Sequence, residues 1–397
     1  MKHLIFSLLL LFFFVEVFSV LPARITRTPE ISKSQYVSGL INVHSHYSDG
    51  YLAIPELAAI AREAGHQFIV FGDKTTAEAR KQNFDRDLGG IDSFVELEAT
   101  TQSGQLLIFF SHSSASSFSD KEISRLGYER FLGKNAETPI FVSVSHPSHV
   151  KQPWTQLERF SDGLEVVNFD SLFWRQLSDA PLGFMGMSLL YPLNQFASAL
   201  RFIQPYPKDF QTWDNMNTLD MGHFGLLSSQ FKPKFQSPLN NISWPSYREI
   251  FRLGSNIVFL KEPLADSHSG RKKQIYESIK KARLALVFQA IHPFHGNDFY
   301  LECPNAIYRS GDIPTPGDSN CSLVVRTPET LSYPKNIRIW RNGELEKEVV
   351  NAPSVLRLPV GRSGSYRAEV FVRPHSQFWL LIRKWVPYVF YNPIFLR

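Results

Sequence analysis

The stretch from residue 42 to residue 50 constrains this chain most, because it places two histidines and an aspartate directly after a short apolar run. His44 and His46 are two residues apart, and Asp49 follows three residues later. Residues i and i+2 of a strand point to the same face, so both imidazoles can project from the carboxyl end of a strand that begins near Leu40. Neutral imidazoles suit Zn, Fe or Mn, and a nearby carboxylate offsets the charge of the metal. Taken alone, the same pattern also describes a polar loop after a strand.

The residues that follow predict a helix and then a second buried strand. Pro55 suits the first turn of a helix and Gly65 suits its end, while apolar residues between them recur at helical spacing. Residues 68–71 form an apolar run that reads as a buried parallel strand, and this run ends at Gly72, Asp73 and Lys74. The resulting order of strand, polar loop, helix and strand predicts an α/β protein.

These motifs together resemble the opening of the PHP family, which is named for polymerase and histidinol phosphatase. The family begins with His-x-His, then Ser-Asp-Gly, then a helix that starts with Pro-Glu-Leu, then a strand that ends in Thr-Asp-His. The first three motifs stand here as His44-Ser45-His46, Ser48-Asp49-Gly50 and Pro55-Glu56-Leu57. The fourth is altered, because Lys74 stands where the family has a metal-binding histidine. The resemblance covers roughly residues 40–265 and implies a distorted (β/α)7 barrel, an α/β fold with metals at its carboxyl-end rim.

Further ligand motifs of the family follow along the chain. Glu98 matches a glutamate ligand, and His146 matches a His-Pro motif at the end of a predicted strand over residues 139–145. Gln105 stands where the family has a histidine ligand. Glu165 and Asn168 either face the site, or Glu165 pairs with a basic residue to hold the sheet.

The last ligand motif of the family, Asp-x-His after a strand, is matched only out of register. Asp220 and His223 are separated by two residues, or else Met221 has replaced the aspartate. The resemblance therefore implies one or two divalent ions, Zn, Mn or Fe, with the ligands His44, His46, Asp49, Glu98, His146, Asp220 and His223.

The lysine at position 74 decides what such a site can do. An ammonium group has no lone pair for a metal unless its pKa is driven down. Lys74 either takes the place of one cation and neutralises a neighbouring carboxylate, or it binds the phosphate of a substrate. We expect it to point into the same cleft as the histidines, because the carboxyl ends of parallel barrel strands share one rim.

The pattern changes near Leu286, after which short strand-like runs recur. These runs cover residues 299–302, 323–326, 337–341, 345–350, 355–358, 366–372 and 386–391. Asn342-Gly343 between two of them is a hairpin signal. The pattern predicts an all-β, immunoglobulin-like sandwich. The expected domains are the barrel at residues 40–286 and the sandwich at 287–397, after a linker at 24–39.

The amino terminus predicts export. Lys2, an apolar run over residues 4–15, and small residues at Ser19 or Ala23 are typical of a secretory signal. The run is short for a membrane span, so residues 1–23 are expected to form a signal peptide or an N-terminal anchor, with possible membrane association there. Export would permit a disulfide between Cys303 and Cys321, although two buried thiols remain the alternative.

Two functions from different classes fit this sequence. The first is an exported metal-dependent phosphoesterase that acts on a small phosphate ester, with Lys74 as a substrate-binding residue. The second is a catalytically silent PHP-like envelope protein with a binding or structural role. A net charge of +5 without basic clusters gives no reason to expect nucleic acid as a partner. Substrate, metal and oligomeric state do not follow from the sequence.

Overall fold

The computed structural model describes most of the chain from residue 36 onwards. The described residues are 7, 10–11, 36–74, 76, 78–101, 104–110, 140–148, 153–154, 161–191, 195, 198, 200, 203–233, 235–236, 243–314, 320–374 and 385–396. Nearly all of the expected signal or anchor at 1–23, and the linker up to residue 35, lie outside this part. Among the described residues, no helix is both long and apolar enough to cross a bilayer.

The strands and helices of this part alternate early in the chain and give way to strands alone later. The strands are β1 Tyr36–Val43, β2 Phe68–Lys74, β3 Arg86–Asp87, β4 Asp92–Thr101, β5 Gly104–Phe109, β6 Phe141–Ser145, β7 Gly163–Asn168, β8 Phe224–Ser228, β9 Phe235–Gln236, β10 Ser243–Trp244, β11 Ser255–Phe259, β12 Leu284–Val287, β13 Asp298–Glu302, β14 Ile307–Arg309, β15 Cys321–Arg326, β16 Lys335–Arg341, β17 Glu344–Val350, β18 Val355–Val360, β19 Gly364–Val372, β20 Val386–Tyr391 and β21 Ile394–Leu396. The helices are α1 Ile54–Glu63, α2 Glu78–Lys81, α3 Phe169–Asp179, α4 Pro181–Leu190, α5 Pro207–Leu219, α6 Tyr247–Leu253 and α7 His268–Lys280.

Seven strands close into a barrel in the order β1-β2-β4-β5-β6-β7-β8, because β8 pairs back onto β1 at Ile41 and Ser228. Helix α7 closes the amino end of this barrel with a buried aromatic side chain. The ring of Tyr276 lies 5.5, 5.2 and 5.6 Å from the rings of Phe94, Phe109 and Phe141. Aromatic packing therefore fills that end, and the polar interior residues lie towards the carboxyl ends of the strands.

One strand of the barrel runs against the others. β5 is antiparallel to both β4 and β6, whereas the remaining neighbours in the barrel are parallel. A closed barrel followed by a β-rich second part was predicted from the sequence and is confirmed. The strict (β/α)7 alternation is not observed, because β4 and β5 are joined as a hairpin with no helix between them.

The second part of the chain contains the two sheets of a sandwich. One sheet has the order β14-β13-β15-β18, and the other contains β17-β16-β19-β20, with β21 paired to β19. Each of the seven runs predicted from the sequence contributes a strand. Asn342 and Gly343 adopt φ angles of 52° and 81° between β16 and β17, as a tight hairpin requires. Cys303 and Cys321 form a disulfide, so the alternative of two free thiols is wrong.

The barrel and the sandwich share one continuous sheet. β12 pairs with β11 on one side and with β20 on the other, so the predicted boundary between residues 286 and 287 falls inside a strand. The side chain of Asn392 adds a second connection, since it bonds the backbone N–H of Gly225 at 2.7 Å and its carbonyl at 3.0 Å.

A buried ion cluster also joins the two parts. The guanidinium of Arg367 on β19 donates to both carboxylate oxygens of Asp214 on α5 at 2.6 and 2.7 Å, and it also bonds Glu369. All three side chains are buried. Burial of these charges is tolerated because each has a partner, and removal of one partner leaves the others uncompensated.

We therefore expect Arg367→Met to destabilise the full-length protein by roughly 3–5 kcal/mol, because two buried carboxylates would lose their cation. Arg338→Met is the matched control, since the Arg338 guanidinium meets Glu348 at 2.8 Å on the partly exposed surface, and such pairs contribute about 0–1 kcal/mol. Denaturant unfolding of both variants measures the difference. Equal losses in the two variants would contradict a structural role for the cluster.

Candidate functional site

Five barrel strands bring polar side chains to one rim. His44 and Asp49 follow β1, Lys74 ends β2, Glu98 lies near the end of β4, His146 follows β6, and Gln230 and Lys232 follow β8. These seven residues are called the rim cluster below. The carboxyl ends of barrel strands are the usual place for functional groups in barrels of this general type.

His44 lies at the buried centre of the rim cluster. Its Nδ1 is 2.5 Å from Oδ1 of Asp49, and its Nε2 is 3.3 Å from Oε2 of Glu98. Burial disfavours the charged imidazole, but the Glu98 carboxylate and the contact with Asp49 outweigh it and raise the pKa of His44 to about 9. In this geometry His44 is therefore a cation at neutral pH.

Glu98 is fully buried and remains a carboxylate. Burial acts to raise its pKa, but His44 first, and then His146 and Lys74, hold the pKa of Glu98 at about 2. Asn42 donates to its Oε1 at 2.9 Å, and Nε2 of His146 lies 4.0 Å from the same oxygen. The two imidazoles therefore face opposite oxygens of one carboxylate.

Asp49 holds two lysines at the exposed edge of the rim cluster. Its Oδ2 accepts from Nζ of Lys74 at 3.3 Å and from Nζ of Lys232 at 3.2 Å. Burial opposes ionisation of Asp49, but the contact with His44 and the two ammonium groups hold its pKa well below its usual range. Burial likewise acts against the charge on Lys74, and Glu98 and Asp49 nevertheless raise its pKa. Lys74 is therefore held as an ammonium group, which has no lone pair for a metal.

A second layer of buried polar groups supports the rim cluster from below. Glu165 accepts from the side chains of Asn42 at 2.8 Å and Asn168 at 2.7 Å, and from the backbone N–H of His146 at 3.2 Å. Among the described residues, the partners found for Glu165 include these amide and backbone groups but no lysine or arginine. Burial raises the pKa of Glu165. This layer orients Asn42 and His146 towards Glu98.

Two expected ligands lie at the wrong end of the barrel. His223 comes just before β8, with its Nδ1 3.1 Å from the carbonyl of Ser161, and Asp220 is an exposed residue at the end of α5. The five residues of β8 separate them from the rim by roughly 16 Å at the usual rise of a strand. A ligand role for Asp220 and His223 beside His44 is therefore wrong.

The residues that do follow β8 were missed by sequence reasoning. Gln230 and Lys232 stand two residues apart after the strand, which is where the resemblance places Asp-x-His. The side-chain amide of Gln230 lies 3.4 Å from Oε2 of Glu98. The available signal was the apolar run at residues 224–228, which marks a strand end before Gln230. A search for histidine and aspartate passes over this position, because glutamine and lysine replace both.

Three further positions complete the comparison with the sequence predictions. His46 is exposed and its ring lies 4.2 Å from that of Tyr47, so it is not brought to Glu98. Gln105 lies at the rim, in register with Ser145. Asp73 is buried beneath the loop after β1, where it accepts from the backbone and hydroxyl of Ser45 at 2.8 and 2.7 Å. Asp73 therefore holds the loop that carries His44.

The His, Asp and Glu side chains of the rim cluster do not fit the multi-metal centre that the resemblance implies. Among the described residues, no group of three or more His, Cys, Asp or Glu side chains could hold a metal ion. Asp49 is shared by one imidazole and two ammonium groups, and both ring nitrogens of His44 face carboxylates. Positive side chains neutralise the carboxylates of this rim.

Comparison with known proteins found no matching family model and no matching curated protein. Among solved structures, the chain is similar to a two-domain protein from Bacteroides vulgatus that contains a predicted PHP-like metal-dependent phosphoesterase. The two share 14% sequence identity with a TM-score of 0.35, over 89% of this chain and 94% of the other.

Proposed function

We propose that this chain is a PHP-type protein that binds a phosphate ester at the rim cluster through Lys74 and Lys232, without a multi-metal centre. The observation that carries this proposal is the pair of ammonium groups on one oxygen of Asp49, at 3.3 and 3.2 Å. The side chains of Lys74 and Lys232 are 30% and 37% exposed, so solvent and solutes reach both.

Lys74 and Lys232 each have N–H donors that Asp49 does not use. Each ammonium carries three N–H donors, and among the described residues each lysine donates to Asp49 alone. Asp49 holds the two groups near each other in advance, which lowers the entropy cost of placing both on one anion. A phosphate presents several acceptor oxygens and makes strong charge-assisted hydrogen bonds with lysine. The arrangement therefore suits one phosphate group that bridges the pair.

We also propose that the protein acts outside the cytoplasm. The Cys303–Cys321 disulfide supports this, because structural disulfides persist in oxidising compartments and are rare in the cytosol of mesophiles. The signal-like pattern at residues 1–23 supports the same location from the sequence.

A second candidate function is a phosphoesterase with a single metal ion. The feature behind it is the placement of two imidazoles on one carboxylate, since Nε2 of His44 and Nε2 of His146 lie 3.3 and 4.0 Å from the oxygens of Glu98. In this structure these three groups do not form a metal site, and His44 would have to lose its proton and both imidazoles would have to move before they could hold an ion with Glu98. A metal held there would supply Lewis-acid activation of a phosphate ester.

The first prediction concerns the lysines. We expect Lys74→Gln and Lys232→Gln each to weaken binding of glycerol 3-phosphate by about tenfold or more, because each removes a charge-assisted hydrogen bond to the phosphate. Lys261→Gln is the control, since Lys261 is 65% exposed and lies 4.0 Å from Asp312, outside the rim cluster. Isothermal titration calorimetry in the presence of chelator measures all four proteins. Equal affinity in wild type and both rim variants would exclude this phosphate site.

The second prediction separates binding from hydrolysis. We expect the wild-type protein to leave p-nitrophenyl phosphate unhydrolysed with Zn²⁺ or Mn²⁺ present, because the lysines and the protonated His44 oppose metal binding. Release of p-nitrophenol is followed by absorbance, with Lys261→Gln as the control variant. Metal-stimulated turnover that His44→Gln abolishes and Lys261→Gln retains would instead establish the single-metal enzyme.

A further inference from the structure

An apolar helical hairpin stands beside the rim cluster. It consists of α3 and α4, and the ring of Phe184 on α4 packs on that of Phe173 on α3 with centroids 5.1 Å apart. α4 contains no charged residue along its length, PLGFMGMSLL. Its outer face exposes 83% of Leu182 and 59% of Met185, and Leu177 on α3 is 38% exposed. Several large apolar side chains exposed on one short hairpin indicate an interaction surface.

The first turn of α3 contacts two residues of the rim cluster. The hydroxyl of Ser171, in the first turn of α3, lies 2.8 Å from Nδ1 of His146, and the backbone N–H of Asp170 donates to the carbonyl of Gln230 at 3.1 Å. Leu177 lies six residues after Ser171, or roughly 9 Å along the helix axis. A molecule that occupies the rim cluster is thus within reach of the apolar face.

The far end of the hairpin returns to the same rim. The hydroxyl of Tyr191, just after α4, bonds Glu249 in the first turn of α6. The hydroxyl of Tyr247, which also lies in the first turn of α6, accepts a hydrogen bond from the backbone N–H of Tyr51 at 3.0 Å. Tyr51 lies two residues after Asp49. Tyr51 itself is 49% exposed. The apolar hairpin therefore spans the rim from His146 to the loop that carries Asp49.

We propose that the rim cluster takes the phosphate headgroup of a membrane lipid while the apolar hairpin lies in the surface of the bilayer. This inference rests on the proposed phosphate site and names its ligand class, an amphiphilic phosphate monoester. The hairpin and the rim cluster are in contact, and together they offer what that ligand requires: two ammonium groups for an anionic headgroup, and an uncharged helix for the acyl region. A soluble sugar phosphate would leave the exposed Leu182 and Met185 without a role.

Vesicle co-sedimentation tests this assignment on the full-length chain. Wild type is compared with the double variants Leu182→Ser/Met185→Ser and Lys74→Gln/Lys232→Gln, on phosphatidylcholine vesicles with and without phosphatidic acid. Leu345→Ser/Val355→Ser is the matched control, because these side chains are 46% and 41% exposed on the sandwich, away from the rim. Phosphatidylcholine vesicles without phosphatidic acid report any binding through the apolar amino-terminal segment, which all four proteins share, and this baseline is subtracted from the binding to phosphatidic acid vesicles.

We expect wild type and the sandwich control to bind phosphatidic acid vesicles alike, and each of the other two variants to bind about tenfold more weakly or worse. Leu182→Ser/Met185→Ser should keep its affinity for glycerol 3-phosphate, which shows that it is folded and that only the lipid contact is lost. Vesicle binding that Leu182→Ser/Met185→Ser retains would overturn the inference. Binding of glycerol 3-phosphate without any vesicle binding would also overturn it, while the phosphate site itself would stand. If the wild-type protein binds neither glycerol 3-phosphate nor the vesicles, the phosphate site itself is refuted, and the lipid inference falls with it.

Discussion

The rim of this barrel depends on how the charge of two neighbouring carboxylates is balanced. A carboxylate that loses water on burial needs a cation or several hydrogen bonds close by. Asp49 receives one imidazole and two ammonium groups, and Glu98 lies between two imidazoles. The chain thus supplies positive charge to this rim from its own side chains. The loop after β1, the ends of β2 and β8, and the buried layer around Glu165 all serve this arrangement.

Much of this architecture follows from the sequence by simple rules. Apolar runs predicted several of the barrel strands, among them β1, β2 and β6, and strand-like runs at short intervals predicted the β-rich second part. A polar residue at the carboxyl end of a parallel strand was expected at a shared rim. That rule located Lys74 and His146, which lie far apart in the chain, and it holds because parallel strands point the same way.

The failures have equally definite causes. Asp220 and His223 were chosen by residue type, although the apolar run that marks β8 begins only at residue 224. The rule of strand ends, applied there, points to Gln230 and Lys232. The sheet shared by the barrel and the second part was not predicted for a different reason, because the period of the hydrophobic pattern does not reveal that β12 pairs with β20 over a hundred residues later. The buried ion pair of Arg367 could not be predicted from the sequence either, since its partner Asp214 lies in another part of the chain.

The central claim is that lysine and glutamine side chains at the rim exclude divalent metal. Metal content measured by mass spectrometry, after equilibration with Zn²⁺ and removal of free ion, tests it directly on wild type and on the triple variant Lys74→His/Gln230→Asp/Lys232→His. The triple variant exchanges ammonium and amide groups for metal-binding ones while Asp49, Glu98 and His146 stay in place. The account predicts bound zinc near stoichiometry in the triple variant and none in wild type. Stoichiometric zinc in the wild-type protein would contradict it.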